Sequence, residues 1–250
     1  MKGRRATLQV VSAENSIFTL LLKQENMSEI LARALDQLRT DVIQMWSLVI
    51  GQMEKSRLAV LESNKSLAKE VRLNEKRVDA YELKIDMDSE NILMLKNPLA
   101  VDMRFVISVL KINYNLERIG DYANTIAKIA EKYEEPWSEE SVRITHIPEM
   151  YFLVQSMLQD SLAAFENQDK ELVMSLFKLD TKLDKYHNDA GEAIANLIRQ
   201  DTEKVSDYLD AFTVIKKLER AGDHILNIGE ELVFLFEAIV IKHNKLNKKK

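Results

Sequence analysis

Apolar residues recur at three and four positions along most of this chain. The run Ile30, Leu31, Ala34, Leu35, Leu38, Val42, Met45, Val49, Met53 draws one stripe along a first long helix ending near Leu61. A second helix reads from about Ser66 to Leu95. Asn97 is placed to cap, and Pro98 to occupy, the first turn of a third helix running to about Lys132. Pro136 and Pro148 bracket the clearest linker, Trp137 to Ile147. Three further helices follow, at Glu149 to Glu166, Lys170 to Arg199 and Thr202 to His243, with breaks at Asn167-Gln168-Asp169 and at Asp201. Long helices joined by short turns lie antiparallel, so the expected fold is all-α: two tandem, similar three-helix bundles, six long helices in all. Their bounds are 28–135 and 149–244, with a linker at 136–148 and a basic tail at 245–250. Residues 1–27 have no counterpart in the second half and are expected to be an extension, an arm or disordered, with Thr7 to Val11 locally extended.

Composition removes several classes of function. The chain of 250 residues has no cysteine, which excludes disulfides, thiolate zinc sites and thiol nucleophiles. A net charge of -5 argues against a general nucleic-acid binder. No stretch reaches the ~20 apolar residues of a membrane span. Lys2, Arg4 and Arg5 before Ala6 to Leu22 imitate a signal peptide, but Gln9, Ser12, Glu14, Asn15 and Ser16 interrupt the run, and export is not expected. Neither a phosphate-binding loop nor a nucleophile elbow nor His-Glu-x-x-His occurs. No catalytic residue is assigned, and the chain is not expected to be an enzyme.

One motif is repeated. Glu117-Arg118-Ile119-Gly120-Asp121 and Glu219-Arg220-Ala221-Gly222-Asp223 lie about a hundred residues apart and use two of only six glycines. Gly120 and Gly222 each cost a helix interior ~1 kcal/mol relative to alanine, which close approach of a neighbour or plain helix packing would explain equally. Arg118 and Arg220 are expected to point away from the acids, toward the other bundle or a partner. Glu75, Asp79, Glu82 and Asp86 share a band about 60° wide on the second helix, echoed by Asp180, Asp184 and His187 on the fifth. Like charges at i,i+4 destabilise a helix by ~0.2 to 0.5 kcal/mol per pair, so something offsets them. Salt bridges to Arg72, Lys76, Arg118 or Arg220 would do so, as would bound cations; repetition in both halves favours cations. Carboxylate oxygens suit magnesium, calcium, manganese or iron, and His187 would bias the second site toward iron, manganese or zinc. A di-iron oxidase would need two Glu-x-x-His copies, and neither is present.

Over residues 28 to 240 the sequence resembles the PhoU family of phosphate-signalling regulators. The resemblance is carried by Glu75 to Asp86, Asn97-Pro98-Leu99-Ala100-Val101-Asp102-Met103-Arg104, Leu116 to Asp121, and Leu218 to Glu230. It implies two three-helix bundles with multinuclear metal clusters, iron foremost among the ions named above. The first cluster would use Glu75, Asp79, Glu117 and Asp121, with Glu82 nearby; the second Asp180, Asp184, Glu219 and Asp223, with His187, Asn227 and Glu230 as further candidates. Thr125 and Lys128 stand in the first half where Asn227 and Glu230 would match, so the two clusters are expected to differ. The implied role is negative regulation of the phosphate-starvation response, by coupling the ATPase of a phosphate-specific ABC transporter to a sensor histidine kinase. Such a protein would be cytoplasmic, reach the membrane through its partners, bind no nucleic acid and form a homodimer or higher homo-oligomer. The other readings are a regulatory module of a sodium/phosphate cotransporter and a metal-binding enzyme of helical-bundle type.

Overall fold

In the computed structural model the backbone is described for residues 3–95 and 98–240, and side chains for 28–94 and 98–240. The helices are α1 Gly3–Leu61, α2 Lys65–Leu95, α3 Ala100–Ala130, α4 Glu139–Ile144, α5 Ile147–Asn167, α6 Lys170–Gln200 and α7 Val205–Glu237, with one 3-10 turn at Thr202–Lys204. No strand occurs among the described residues.

Four details differ from the sequence expectation. First, α1 begins at Gly3, so Thr7 to Val11 is helical rather than extended; neither glycine nor proline interrupts the chain between Gly3 and Gly51. Second, Pro98 sits outside α3, whose cap is Leu99, because Asp102 Oδ2 accepts the Leu99 N–H at 3.0 Å and fixes the start there. Asn97, the expected cap, lies outside the described residues. Third, the linker holds the short helix α4: Ser138 caps it by accepting the Ser141 N–H at 3.2 Å, and Glu139 and Glu140 favour its positive end. Fourth, α7 ends at Glu237 with Ala238 left-handed at φ 57°, short of His243. The tail 245–250 also lies outside the described residues. The predicted break before α6 is present: Gln168 is left-handed at φ 55°, and Asp169 accepts from Glu171 N and Leu172 N at 2.9 and 3.1 Å.

Helices α1, α2 and α3 form one bundle and α5, α6 and α7 the other. Val71, Val78, Ile85 and Ile92, buried at every seventh position of α2, pack against Val42, Met45 and Val49 of α1 and Val109, Leu116 and Ile119 of α3. Leu176, Leu183, Ala190 and Ile194 of α6 do the same against Val154 and Leu158 of α5 and Ile215, Leu218 and Ile225 of α7. The bundles meet along α3 against α7 and α1 against α5. Lys111 Nζ reaches Glu231 Oε2 at 2.9 Å, and Lys132 Nζ reaches Asp210 Oδ2 at 2.8 Å, so α3 and α7 run antiparallel. On the other side Trp46 packs on Phe165 at 5.6 Å between centroids, with the Arg39 guanidinium 4.9 Å from the Phe165 ring.

Candidate metal centres

The two motif glycines set how closely the acidic helices approach. A Cβ on Gly120 of α3 would lie 3.3 Å from Val78 Cγ1 of α2 and 3.2 Å from Gln52 Oε1 of α1. On Gly222 of α7 it would run into the Leu183 side chain of α6 and lie 3.3 Å from Asp180 Oδ1. Both of the expected explanations therefore merge: the glycines are packing residues, and that packing brings the α2 stripe to Glu117 and Asp121, and the α6 stripe to Glu219 and Asp223.

Among the acids expected in the first cluster Glu75 is the deepest, 8% exposed. Gln52 Nε2 donates to its Oε2 at 3.3 Å, while Oε1 is buried without a hydrogen-bond partner. Burial, then Asp121 and Asp79, push the Glu75 carboxyl up to about 8. Burial, then Asp121, push Glu117 up to about 7, and burial followed by Asp86 raises Glu82. Arg118 does not point away from the acids as expected. Its Nη1 lies 3.2 Å from Asp121 Oδ2 and its Nε 3.4 Å from Glu117 Oε2, because the i,i+3 spacing on one helix puts it within reach. Asp86 is engaged elsewhere: Asn113 Nδ2 donates to its Oδ1 at 2.9 Å.

The second bundle repeats this electrostatic pattern. Burial, then Asp184, Asp223 and Glu219, push Asp180 up to about 7. Glu219 and Asp223 are raised by burial first, then by neighbouring carboxylates, against the opposing pull of His187. His187 Nδ1 lies 3.9 Å from Glu219 Oε1, so the imidazole belongs to this cluster. Asn227 does not: its Nδ2 donates to Asn115 Oδ1 at 3.4 Å across the bundle interface, because its place on α7 faces α3. Glu230 is half-buried, two turns beyond Asp223 on the same helix.

Clustered carboxyls whose proton affinity is raised by one another lower their repulsion by pairing with basic side chains, as Arg118 does with Glu117 and Asp121, by holding protons or by holding cations. The donors are oxygens apart from His187, a set suited to hard or intermediate cations, and the orphaned Glu75 Oε1 is a buried acceptor of the kind a cation satisfies. No three His, Asp or Glu side chains among the described residues converge as a ready coordination sphere, so ligation requires the exposed acids Asp79, Asp184 and Asp223 to turn inward.

Sequence reasoning turned Arg118 and Arg220 toward the other bundle, where Arg220 lies 5.9 Å from the Tyr122 ring, but missed the wider polar seam there. Tyr114, Asn115, Arg118 and Tyr122 fall on one α3 face at spacings of one, three and four, and Lys217, Arg220, His224 and Asn227 on one α7 face at three and four. That paired polar stripe on helices otherwise rich in buried apolar residues was the available signal. His224 Nδ1 is 2.8 Å from Asn115 Oδ1, and its Nε2 is 3.1 Å from the Tyr122 hydroxyl. Burial, then Arg220 and Arg118, hold this imidazole below its ordinary value. The neutral Nδ1–H tautomer satisfies the network, since Asn115 Oδ1 can only accept.

Fold and site together define an all-α protein of two tandem three-helix bundles, each with a carboxylate cluster between its last two long helices. The chain belongs to the PhoU domain family, which matches residues 42–130 and again 147–232, one stretch in each bundle. It is 31% identical over 218 residues to the phosphate-specific transport system accessory protein PhoU homolog of Pseudomonas putida, covering 86% of this chain and 83% of that one. The homolog of the same name from Zymomonas mobilis is 30% identical over 197 residues, 79% of this chain and 82% of its own. The crystal structure of PhoU from Pseudomonas aeruginosa matches with a TM-score of 0.76 at 30% identity, over 83% of this chain and 99% of that chain. That of the phosphate transport system regulatory protein PhoU from Streptococcus pneumoniae matches with 0.76 at 27%, over 84% and 98%. No helix among the described residues is long and apolar enough to cross a membrane.

Proposed function

We propose that this protein is the accessory regulator of a phosphate-specific transport system, and that it represses the phosphate-starvation response when phosphate is plentiful. The observation that carries this reading is the match of both bundles to proteins named for that role, at 31% identity over 86% of the chain. Its partners in this reading are the ATPase of the phosphate-specific ABC transporter and a membrane sensor histidine kinase. The chain acts in the cytoplasm, reaches the inner face of the membrane through them, and works as a homodimer or higher homo-oligomer without catalysing a reaction. The long helix faces suit helix-on-helix docking, and α2 exposes Leu73, Leu83 and Met87 on its outer side.

In the same reading Glu75, Asp79, Glu117 and Asp121 hold metal in the first bundle, with Glu82 beside them. Asp180, Asp184, Glu219 and Asp223 hold it in the second, with His187 in reach. Bound cations, iron foremost, would supply positive charge between like-charged carboxylates and tie α2 to α3 and α6 to α7. Deletion of the gene tests the regulatory role: a phosphate-regulated reporter is expected to rise in phosphate-rich medium, and unchanged repression would overturn it. Metal analysis of untagged protein tests the sites: bound ion is expected, reduced by Glu219→Ala/Asp223→Ala, and no ion after reconstitution with any of the five metals named would remove that part.

A further inference from the structure

A pocket of about 460 Å³ lies where the linker folds over the start of α7, lined by residues that neither carboxylate cluster uses. Pro136 keeps the chain after α3 out of helix, so Tyr133 and Trp137 project from irregular backbone. Their rings meet edge to face, 5.6 Å between centroids at 80°. Buried Thr145, Tyr208 and Ala211 complete the lining. The charges around it are unevenly matched. Lys204, the basic residue of the lining, reaches Asp201 Oδ2 at 3.5 Å. Glu134 pairs with Lys65, and Asp210, which accepts from the Tyr133 hydroxyl at 3.0 Å, pairs with Lys132. Glu135 and Asp207 also line the pocket and form no ion pair among the described residues. Each of these cations has its own carboxylate, and the charge left over is negative. Burial, then Asp210 and Asp207, push the Tyr133 phenol well above its ordinary value, so the field of those acids reaches the aromatic wall.

We propose that this pocket binds a small organic ammonium ion, with the rings of Tyr133, Trp137 and Tyr208 around its carbon groups and Glu135 and Asp207 as its counter-charges. Aromatic rings offer a cation their negative faces and offer the carbons beside it apolar area, which a hydrated metal ion cannot use. The Trp137 indole N–H, close to the Tyr133 hydroxyl, is buried in the wall and completes no hydrogen bond, so a ligand that also carries an acceptor, such as a hydroxyl, suits the pocket better. Tyr133 follows the first bundle and Tyr208 belongs to the second, so an occupant touches both and holds the linker between them. The site does not depend on the regulatory reading or on the carboxylate clusters.

Choline is the probe, titrated into the full chain at an ionic strength matched with sodium chloride. The chain has two tryptophans and Trp46 is fully buried, so a change in emission reports on Trp137. Choline is expected to bind, and its uncharged isostere 3,3-dimethylbutan-1-ol to bind about tenfold more weakly or worse. Asp207→Asn is expected to weaken choline about tenfold and to leave the isostere unchanged. Circular dichroism and a matching melting temperature establish that the variant is folded. If it is not, Glu135→Gln on the exposed linker takes its place, with the same direction expected. n-Butylamine separates the two forms of the ligand: tighter choline binding assigns a methylated amine, and tighter butylamine binding a primary one. Absence of binding by both amines at about 10 mM would overturn the proposal. So would isostere binding as tight as that of choline, or choline binding unchanged by the carboxylate substitution. None of these results depends on gene expression, so the regulatory role and the site fail separately.

Discussion

The Tyr122 hydroxyl of α3 and Nε2 of His224 on α7 lie 3.1 Å apart, across the line where the two bundles meet. With Nδ1 of the same imidazole on Asn115, one side chain closes a polar network between helices more than a hundred residues apart in sequence. Tyr122→Phe leaves Nε2 without its donor at a half-buried position, which costs about 0.5–1.5 kcal/mol. Urea unfolding should show that loss, with the same slope as the parent; an unchanged midpoint would mean water replaces the hydroxyl.

The raised carboxyls make a pH prediction with a definite sign. Glu75 ordinarily titrates near 4.5, and in the folded protein it is pushed up to about 8. Below its ordinary value both states are protonated, and its contribution to stability is fully present. Between the two values the unfolded chain releases a proton that the folded chain keeps, so that contribution is lost as pH rises. Glu117 and Asp180, each pushed up to about 7, act in the same direction. The melting temperature of chelator-treated protein should therefore fall between about pH 5 and about pH 8, and Glu75→Gln should flatten the slope. A melting temperature that climbs over this range would contradict the assignment.

The glycines separate by what surrounds them. A methyl group on Gly222 collides with Leu183, and on Gly120 it presses on Val78 and Gln52, whereas Gly51 has nothing within 4 Å. Gly222→Ala should destabilise by about 1–3 kcal/mol through overpacking and force α6 away from α7. Gly120→Ala should cost less, and Gly51→Ala should stabilise by up to ~1 kcal/mol through helix propensity alone. Thermal melts of the three variants give the order directly.

The aromatic contact between bundles carries another expectation. Phe165 is fully buried against Trp46 and Phe105, so Phe165→Ala should cost about 3–5 kcal/mol, read by denaturant unfolding.

Periodicity made the helices legible because the apolar stripes of α2, α3, α6 and α7 repeat at three and four with few exceptions. Helix ends were harder, since Leu99 caps α3 only through Asp102, three residues on, and α4 depends on the Ser138 cap rather than on any apolar pattern. The acidic residues could be placed on faces from spacing alone. Arg118 could not, because its long side chain chooses between the acids on its own helix and the seam, and it reaches both Asp121 and the Tyr114 ring. The seam itself depends on how α3 meets α7, and nothing local in either helix fixes that register.

The most direct test of the account is complementation of the gene deletion in phosphate-rich medium. The intact gene should restore repression of a phosphate-regulated reporter, and a Glu219→Ala/Asp223→Ala allele at equal protein level should leave the reporter high. Full repression by the double-substituted allele would show that the second carboxylate cluster plays no part in regulation, and would contradict the link drawn between site and function.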